Sequence, residues 1–392
     1  MKKILNILLI VTVIMISSFT YADIGIEDEL RSYILADAKT GQVLEEYNIN
    51  EVVEIASISK LMSYLVIMDE VSKGNISLED KVTIDQDTAR IKGSSFDLKV
   101  GEVFTLGELL EASMVVSAND ATYALAKYVA GTEENFAILM NEKSIQLGLT
   151  NAVFYNSTGL PIAEKGVQNA MTTKEIFELS KYIIKKYPEI LEISSKLAIE
   201  VVSRDYFQRS TNPLLMEIKE VDGLKTGFTN KAGYCYVSTF NINGRKGSSE
   251  DLRLISIVMG TKGLKERNEL GKVLVEYGLN NYSNKIFFDE EKDLGTIKFP
   301  KGNLEEIKTY PKDRFCKLVK NDENIKVKID LDEEVNLPIR KGDKVGRATV
   351  EREGNLIFET DIIIKEDVKK AKWYVLFGRY LGDLYDRLMG KL

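Results

Sequence analysis

The chain has 392 residues, of which 44% are hydrophobic and 29% charged, and a formal net charge of -7. That length holds two domains with a core each, and the acidic balance speaks against nucleic acid as a partner. There is no histidine, which excludes a Ser/His/Asp triad, a histidine-paired cysteine and an HExxH zinc site, so any general base has to be Lys, Asp, Glu or Tyr.

Met1-Lys2-Lys3 precedes an uncharged apolar run from Ile4 to Ile16, and Thr20-Tyr21-Ala22 supplies small residues before a cleavage point. Residues 1–22 therefore read as a secretory signal peptide, the run being short for a membrane span. Ser32 to Ala36 and Gln42 to Glu46 are strand-forming runs around the turn residues Asp37-Ala38-Lys39-Thr40-Gly41, and predict an opening hairpin.

Ala56-Ser57-Ile58-Ser59-Lys60 opens the most apolar helical run of the exported chain, Leu61 to Met68. With Ser57 at the helix start, Lys60 lies on the same face, three residues on, and its amine reaches the hydroxyl. Apolar surroundings lower the pKa of such an amine and make it available as a base to a serine nucleophile. The same pair also reads as a capping serine and a snorkelling lysine, so support has to come from elsewhere.

Further helices are expected from the Thr105/Glu108 capping box, at 120–129, at 133–147, at 173–186 behind a Thr172/Glu175 box, and at 264–277 with Gly278 as stop. Strands are expected at 221–228, 233–241 and 252–260, the last apolar on both faces. Strand, strand, many helices, three strands, helix is an α+β order in which the early hairpin joins the late strands. This gives a catalytic domain at 23–280. Beyond Asn280-Asn281 the alternation of Ile325, Val327, Ile329 and Leu331 with charged residues, and strands near 345–351 and 356–364, predict a small β-sandwich at 284–366. Cys235 and Cys316 fall in the two different domains and read as free thiols, since a chain this large needs no disulfide.

The last segment, 367–392, has six basic and three acidic residues at the end of an acidic chain. Trp373, Phe377, Leu381, Leu384, Leu388 and Leu392 form an apolar stripe opposite Arg379, Asp383 and Asp386. An amphipathic helix with tryptophan, tyrosines and flanking lysines suits the interface of a membrane; docking on the β-domain is the alternative.

Two other stretches support Ser57. Ser117-Ala118-Asn119 falls between two helical patterns and presents a hydroxyl and a carboxamide together, and Lys225-Thr226-Gly227 lies on a late strand, where the glycine allows close approach. Ser-x-x-Lys at a helix start, Ser-x-Asn between helices and Lys-Thr-Gly on a late strand resemble the signature of penicillin-binding proteins and class A β-lactamases. More closely the chain resembles the low-molecular-mass D-alanyl-D-alanine carboxypeptidases. Asp37 to Gly41, Thr105 to Ala121, Asn156-Ser157-Thr158-Gly159-Leu160-Pro161, Val221 to Thr229 and Ala232 to Cys235 all read like that family, as does the order signal, catalytic domain, β-domain, terminal helix. Ile55, Ser59 and Ala118 depart from its commoner residues and leave the reactive groups in place.

The resemblance implies a transpeptidase-like fold, no cofactor or metal, and peptidoglycan stem peptides ending in D-Ala-D-Ala as substrate, with β-lactams as inhibitors. It implies Ser57 as nucleophile, Lys60 as base, Ser117 with Lys225 as the proton route to the leaving D-alanine, and Asn119 as a group that orients the peptide and Lys60. Thr226 and Gly227 belong to the carboxylate-binding strand, and the backbone N–H groups of Ser57 and Phe228 form the oxyanion hole. Arg267 is a further carboxylate-binding candidate, though a solvated helix residue is the expectation from sequence. The implied location is the outer face of the cytoplasmic membrane. Two rivals remain: a class A-like β-lactamase, which needs a deacylating glutamate followed four residues on by asparagine, where Glu164 has Gln168; and a non-catalytic peptidoglycan-binding protein.

Overall fold

Asp37 accepts hydrogen bonds from the backbone of Lys39 (2.9 Å) and Thr40 (3.2 Å), closing the turn between β1 (Ser32–Asp37) and β2 (Val43–Tyr47). The computed structural model describes residues 24–332 and 335–390; the expected signal peptide and Leu392 lie outside the described residues. After β3 (Val52–Glu54) comes a 3-10 turn, Ala56–Ser59, and then α1 (Lys60–Ser72). Ser57 thus sits one turn before the α-helix rather than on its first turn, a correction to the reading from spacing alone.

The helical region follows: β4 (Lys81–Thr83), β5 (Val103–Thr105), α2 (Leu106–Val115), α3 (Asn119–Ala130), α4 (Glu133–Gln146), β6 (Ala170–Thr172), α5 (Thr173–Lys186) and α6 (Ile190–Ser194), with the hairpin β7 (Ala198–Val201) and β8 (Tyr206–Arg209). Both expected capping boxes form, at Thr105 with Glu108 and at Thr172 with Glu175. Then β9 (Val221–Thr229), β10 (Gly233–Ile242), the short β11 (Ser249–Glu250) and β12 (Leu252–Thr261) lead into α7 (Leu264–Asn281).

The central sheet is antiparallel in the order β2-β1-β12-β10-β9, so the hairpin joins the late strands as expected and β9 is left at an edge. β12 is apolar on both faces because each face meets a separate core. Ile255, Ile257 and Met259 face the layer built from α1 to α5, and Leu252, Leu254 and Val258 face α7 through Leu270 and Leu274. Gly278 does not stop α7. It lies inside the helix where a Cβ would come within 2.8 Å of Phe240, so the glycine serves a close helix-to-sheet contact.

A third core belongs to β13 (Tyr282–Phe288), β14 (Thr296–Lys298), β15 (Glu306–Pro311), β16 (Phe315–Lys320), β17 (Ile325–Leu331), β18 (Lys344–Arg352) and β19 (Asn355–Ile364). Five of these strands form one sheet, in the order β14-β15-β19-β18-β17, and β13 lies between β16 and β11 of the preceding region in another. At the junction, Glu45 of β2, 2% exposed, accepts from the hydroxyls of Tyr277 (2.9 Å) and Tyr282 (2.6 Å) and pairs with Lys320 (3.1 Å). Both cysteines are free.

The last helix, α8 (Trp373–Met389), has no buried residue. Its contact with the β-domain runs through the polar face: Arg379 donates to Gly302 O at 2.9 Å and pairs with Glu305 at 3.3 Å. Trp373, Phe377, Leu381, Leu384 and Leu388 remain exposed. No helix among the described residues is long and apolar enough to cross a membrane.

Candidate active site

The 3-10 turn that carries Ser57 is held from several sides. Ala56 takes a positive φ of 47°, which directs the chain sharply into the turn. Ser59 donates to Ala56 O (2.7 Å) and accepts from Asn169 Nδ2 (2.9 Å), while Asn169 also accepts from the backbone of Tyr155 at 2.7 Å. Gly159, with φ of 81°, passes so close that a Cβ would collide with Ala56 O. Only glycine fits there.

Lys60 is fully buried. Its Nζ lies 2.8 Å from Ser57 Oγ, 2.7 Å from Asn119 Oδ1 and 3.1 Å from Thr158 O. Burial pushes the lysine pKa well below its usual value, helped by the positive charge of Lys225 and opposed by Asp120 and Glu133. A neutral amine satisfies all three neighbours: its two hydrogens go to Asn119 Oδ1 and Thr158 O, and its lone pair accepts the Ser57 hydroxyl proton.

Ser117 and Asn119 come from the break between α2 and α3. Ser117 takes φ of 61° and is 4% exposed, and the next helix starts at Asn119. Asn119 Nδ2 donates to Lys92 O (3.0 Å) and its backbone N donates to Ser94 O (2.8 Å), so the carboxamide that touches Lys60 is tied to the loop 91–98. The neighbouring Asp120 accepts from Ser95 Oγ (2.7 Å) and from the backbone N–H groups of Phe96 (2.9 Å) and Leu98 (3.2 Å). On the far side of that loop Arg204 donates to Phe96 O (3.1 Å) and lies over the rings of Phe96, Phe104 and Tyr206.

β9 closes the site. Lys225 is buried, donates to Thr226 O at 3.1 Å, and has its pKa lowered to about 7 by burial and by the charge of Arg267. Thr226 Oγ1 is bonded to Thr211 Oγ1 at 2.8 Å. Gly227 lets the strand lie against the turn, since a Cβ would come 3.0 Å from Ile55 O and 3.2 Å from Ser57 N. Phe228 is half exposed and stacks on Tyr234, with ring centroids 4.1 Å apart.

Ser57, Ser117, Asn119, Thr226, Gly227 and Phe228 line one cavity of about 530 Å³, and Lys60 and Lys225 are buried just outside its lining. Arg267 lines it too, which corrects the expectation of a solvated residue. It is 6% exposed, and its guanidinium bonds only the side chain of Asn268 (2.8 and 3.1 Å), with no carboxylate partner among the described residues. The first turn of a helix looks exposed in sequence; the fold buries this one against β10. Sequence reasoning also missed Thr158 O, Asn169 and Gly159 as supports of the nucleophile turn, although the Asn156-to-Pro161 stretch stood out as family-like. No carboxylate lines the cavity among the described residues.

An α+β domain with a buried lysine against a serine, a Ser-x-Asn break and a Lys-Thr-Gly edge strand defines the class of penicillin-recognising serine enzymes. A family model described as D-alanyl-D-alanine carboxypeptidase matches residues 22–263, and one described as the C-terminal domain of penicillin-binding protein 5 matches residues 282–370. A D-alanyl-D-alanine carboxypeptidase of Bacillus subtilis is 31% identical over 98% of this chain and 99% of its own length. The crystal structure of penicillin-binding protein 5 from Haemophilus influenzae aligns with a TM-score of 0.63 at 26% identity, covering 87% of this chain and 98% of the other. That of penicillin-binding protein D2 from Listeria monocytogenes, in an ampicillin-bound form, aligns with a TM-score of 0.56 at 31% identity over 64% of this chain and 97% of the other. The chain belongs to the D-alanyl-D-alanine carboxypeptidase family.

Proposed function

We propose that this enzyme removes the terminal D-alanine from peptidoglycan stem peptides through an acyl-enzyme on Ser57. The observation that carries the reading is the 2.8 Å contact between Ser57 Oγ and a buried Lys60 whose other two neighbours are both acceptors. Ser57 attacks the carbonyl between the last two D-alanines and Lys60 takes its proton. Backbone N–H groups of Ser57 and Phe228 stabilise the tetrahedral oxyanion. Ser117 with Lys225 returns a proton to the departing amine, and Asn119 holds both Lys60 and the peptide amide. Thr226 and the unpaired Arg267 bind the terminal carboxylate. Water then hydrolyses the ester, with Lys60 as base.

β-Lactams place an amide beside a carboxylate in the same way and acylate Ser57. The β-lactamase rival is disfavoured because Glu164 is exposed on a separate 3-10 turn and does not line the cavity, while Asn169 is committed to the nucleophile turn. The binding-protein rival offers no reason for a desolvated lysine against a serine.

A catalytic domain at 23–280, a β-domain that starts at 284 and keeps Val368 in its core, a terminal helix after it, cleavage after Ala22 and a location on the outer face of the cytoplasmic membrane belong to the same proposal. The exposed apolar stripe of α8, turned away from the β-domain by the Arg379 contacts, supports membrane attachment. Labelling with a fluorescent penicillin tests the site: a band is expected that disappears in Ser57→Ala, and no band in the wild type contradicts the reading.

A further inference from the structure

Among the described residues, the carboxylates whose charge bears on Lys60 are Asp120 and Glu133. Asp120 is committed to the loop 91–98 through Ser95 and the backbone of Phe96 and Leu98. Glu133 opens α4 behind the N-cap Thr132, where the free N–H groups of the first turn favour a negative charge. Its Oε1 accepts from Ser157 N at 3.0 Å and from Ser157 Oγ at 2.6 Å. The same stretch is held from its other side by α1: Ser63 Oγ donates to Ser157 O at 2.7 Å, and Lys60 Nζ donates to Thr158 O at 3.1 Å. A single step along the chain, from Ser157 to Thr158, therefore separates the Glu133 carboxylate from the carbonyl that orients the Lys60 amine.

Ser157 is fully buried, so without Glu133 its N–H and O–H would lie in the interior unmatched. A neutral carboxamide would satisfy both donors at a lower desolvation cost. What the carboxylate adds is charge. Lys60 faces Lys225 from β9, Asp120 from α3 and Glu133 from α4, and Arg267 of α7 acts in turn on Lys225. Glu133 faces Lys60, Glu134 beside it on α4 and Tyr123 on α3. Burial pushes its carboxyl above the usual range, while the Ser157 hydrogen bonds and Lys60 hold it down.

We propose that Glu133 is a positioning residue for the Lys60 base: through Ser157 it fixes the Thr158 carbonyl that orients the amine, and its negative charge counters the positive charge of Lys225 there. The inference rests on Lys60 as the base. Glu133 does not line the catalytic cavity and acts only through Lys60. Removing its charge disfavours protonated Lys60, so the neutral amine appears at lower pH and is the weaker base.

The test follows labelling of Ser57 by a fluorescent penicillin against pH in the wild type, Glu133→Gln and Glu133→Ala. Gln keeps an acceptor for Ser157 and removes the charge. Its rising limb is expected to move down by about half a pH unit, with a plateau lowered by no more than about threefold. Ala removes acceptor and charge together and is expected to lower the plateau by about tenfold or more. Rate constants are read from the time course of labelling, so unfolded protein does not enter, and the Gln limb decides the matter if the Ala variant fails to fold. A Gln limb that stays in place or moves up, or an Ala variant with the wild-type plateau, overturns the role of Glu133 alone. A wild-type profile without a rising limb overturns Lys60 as the titrating base as well.

Discussion

At the scale of single residues the proposed mechanism turns on Lys60: the chain has no histidine, and the buried amine lies 2.8 Å from Ser57 Oγ. Replacing it with Ala, or with the always-charged Arg, is expected to slow acylation by a chromogenic penicillin by about 100-fold or more. Near-normal rates in both variants contradict its role. The pH dependence follows from the neighbouring charge. Lys60 accepts a proton only when neutral, so acylation rises with pH through its depressed pKa. The positive charge of Lys225 destabilises the protonated form of Lys60 and helps to depress that pKa. Lys225→Ala removes this repulsion, raises the Lys60 pKa and is expected to move the rising limb of the pH–rate profile to higher pH, besides lowering the rate. A limb that stays in place contradicts the coupling. Ser57, Lys60, Ser117, Asn119 and the Lys-Thr-Gly run were legible because their spacing and order are written locally. Arg267 was not, since its burial comes from packing against a strand about thirty residues earlier in the chain.

At the scale of elements, the capping boxes, the hairpin and the long helices were readable, because local hydrogen bonds and period decide them. The strands of three and four residues, β3 to β8, were not: each exists only through a partner that the fold brings to it. The β7–β8 hairpin matters most for the site, since Arg204 and Tyr206 brace the loop 91–98 from the side opposite Asp120, with Tyr206 Oη donating to Ser95 O at 3.2 Å. Arg204→Met keeps an apolar stem and removes the guanidinium from over the rings together with its hydrogen bonds. Losing hydrogen bonds from a charged donor makes local opening easier by about 2 kcal/mol. Amide exchange at Phe96 and Leu98 is then expected to quicken by roughly 30-fold. Unchanged exchange means that Arg204 does not hold the loop.

At the scale of the whole molecule, the catalytic unit, the β-domain and α8 are joined in different ways. The Glu45, Tyr277, Tyr282 and Lys320 network ties the first two together, whereas α8 is held to the β-domain through Arg379 and buries no residue fully. The sequence placed the start of the terminal segment at residue 367, yet Val368 is fully buried in the β-domain core and its backbone pairs with Ile339. A truncation that spares that core therefore starts at Trp373. Deleting 373–392 is expected to release an enzyme that stays in the supernatant with lipid vesicles and cleaves a small D-Ala-D-Ala peptide as before; pelleting of the truncated protein contradicts anchoring by α8. The central claim is that this site hydrolyses D-alanyl esters and stalls on β-lactams, because an opened β-lactam keeps its leaving group tethered and no carboxylate among the described residues lines the cavity to activate water. The direct measurement is to supply purified enzyme with a D-Ala-D-Ala peptide and, separately, with penicillin, and to follow free D-alanine and penicilloate. Sustained D-alanine release with about one penicilloyl group retained per enzyme is the predicted result. Rapid repeated penicillin turnover with no D-alanine from the peptide contradicts it.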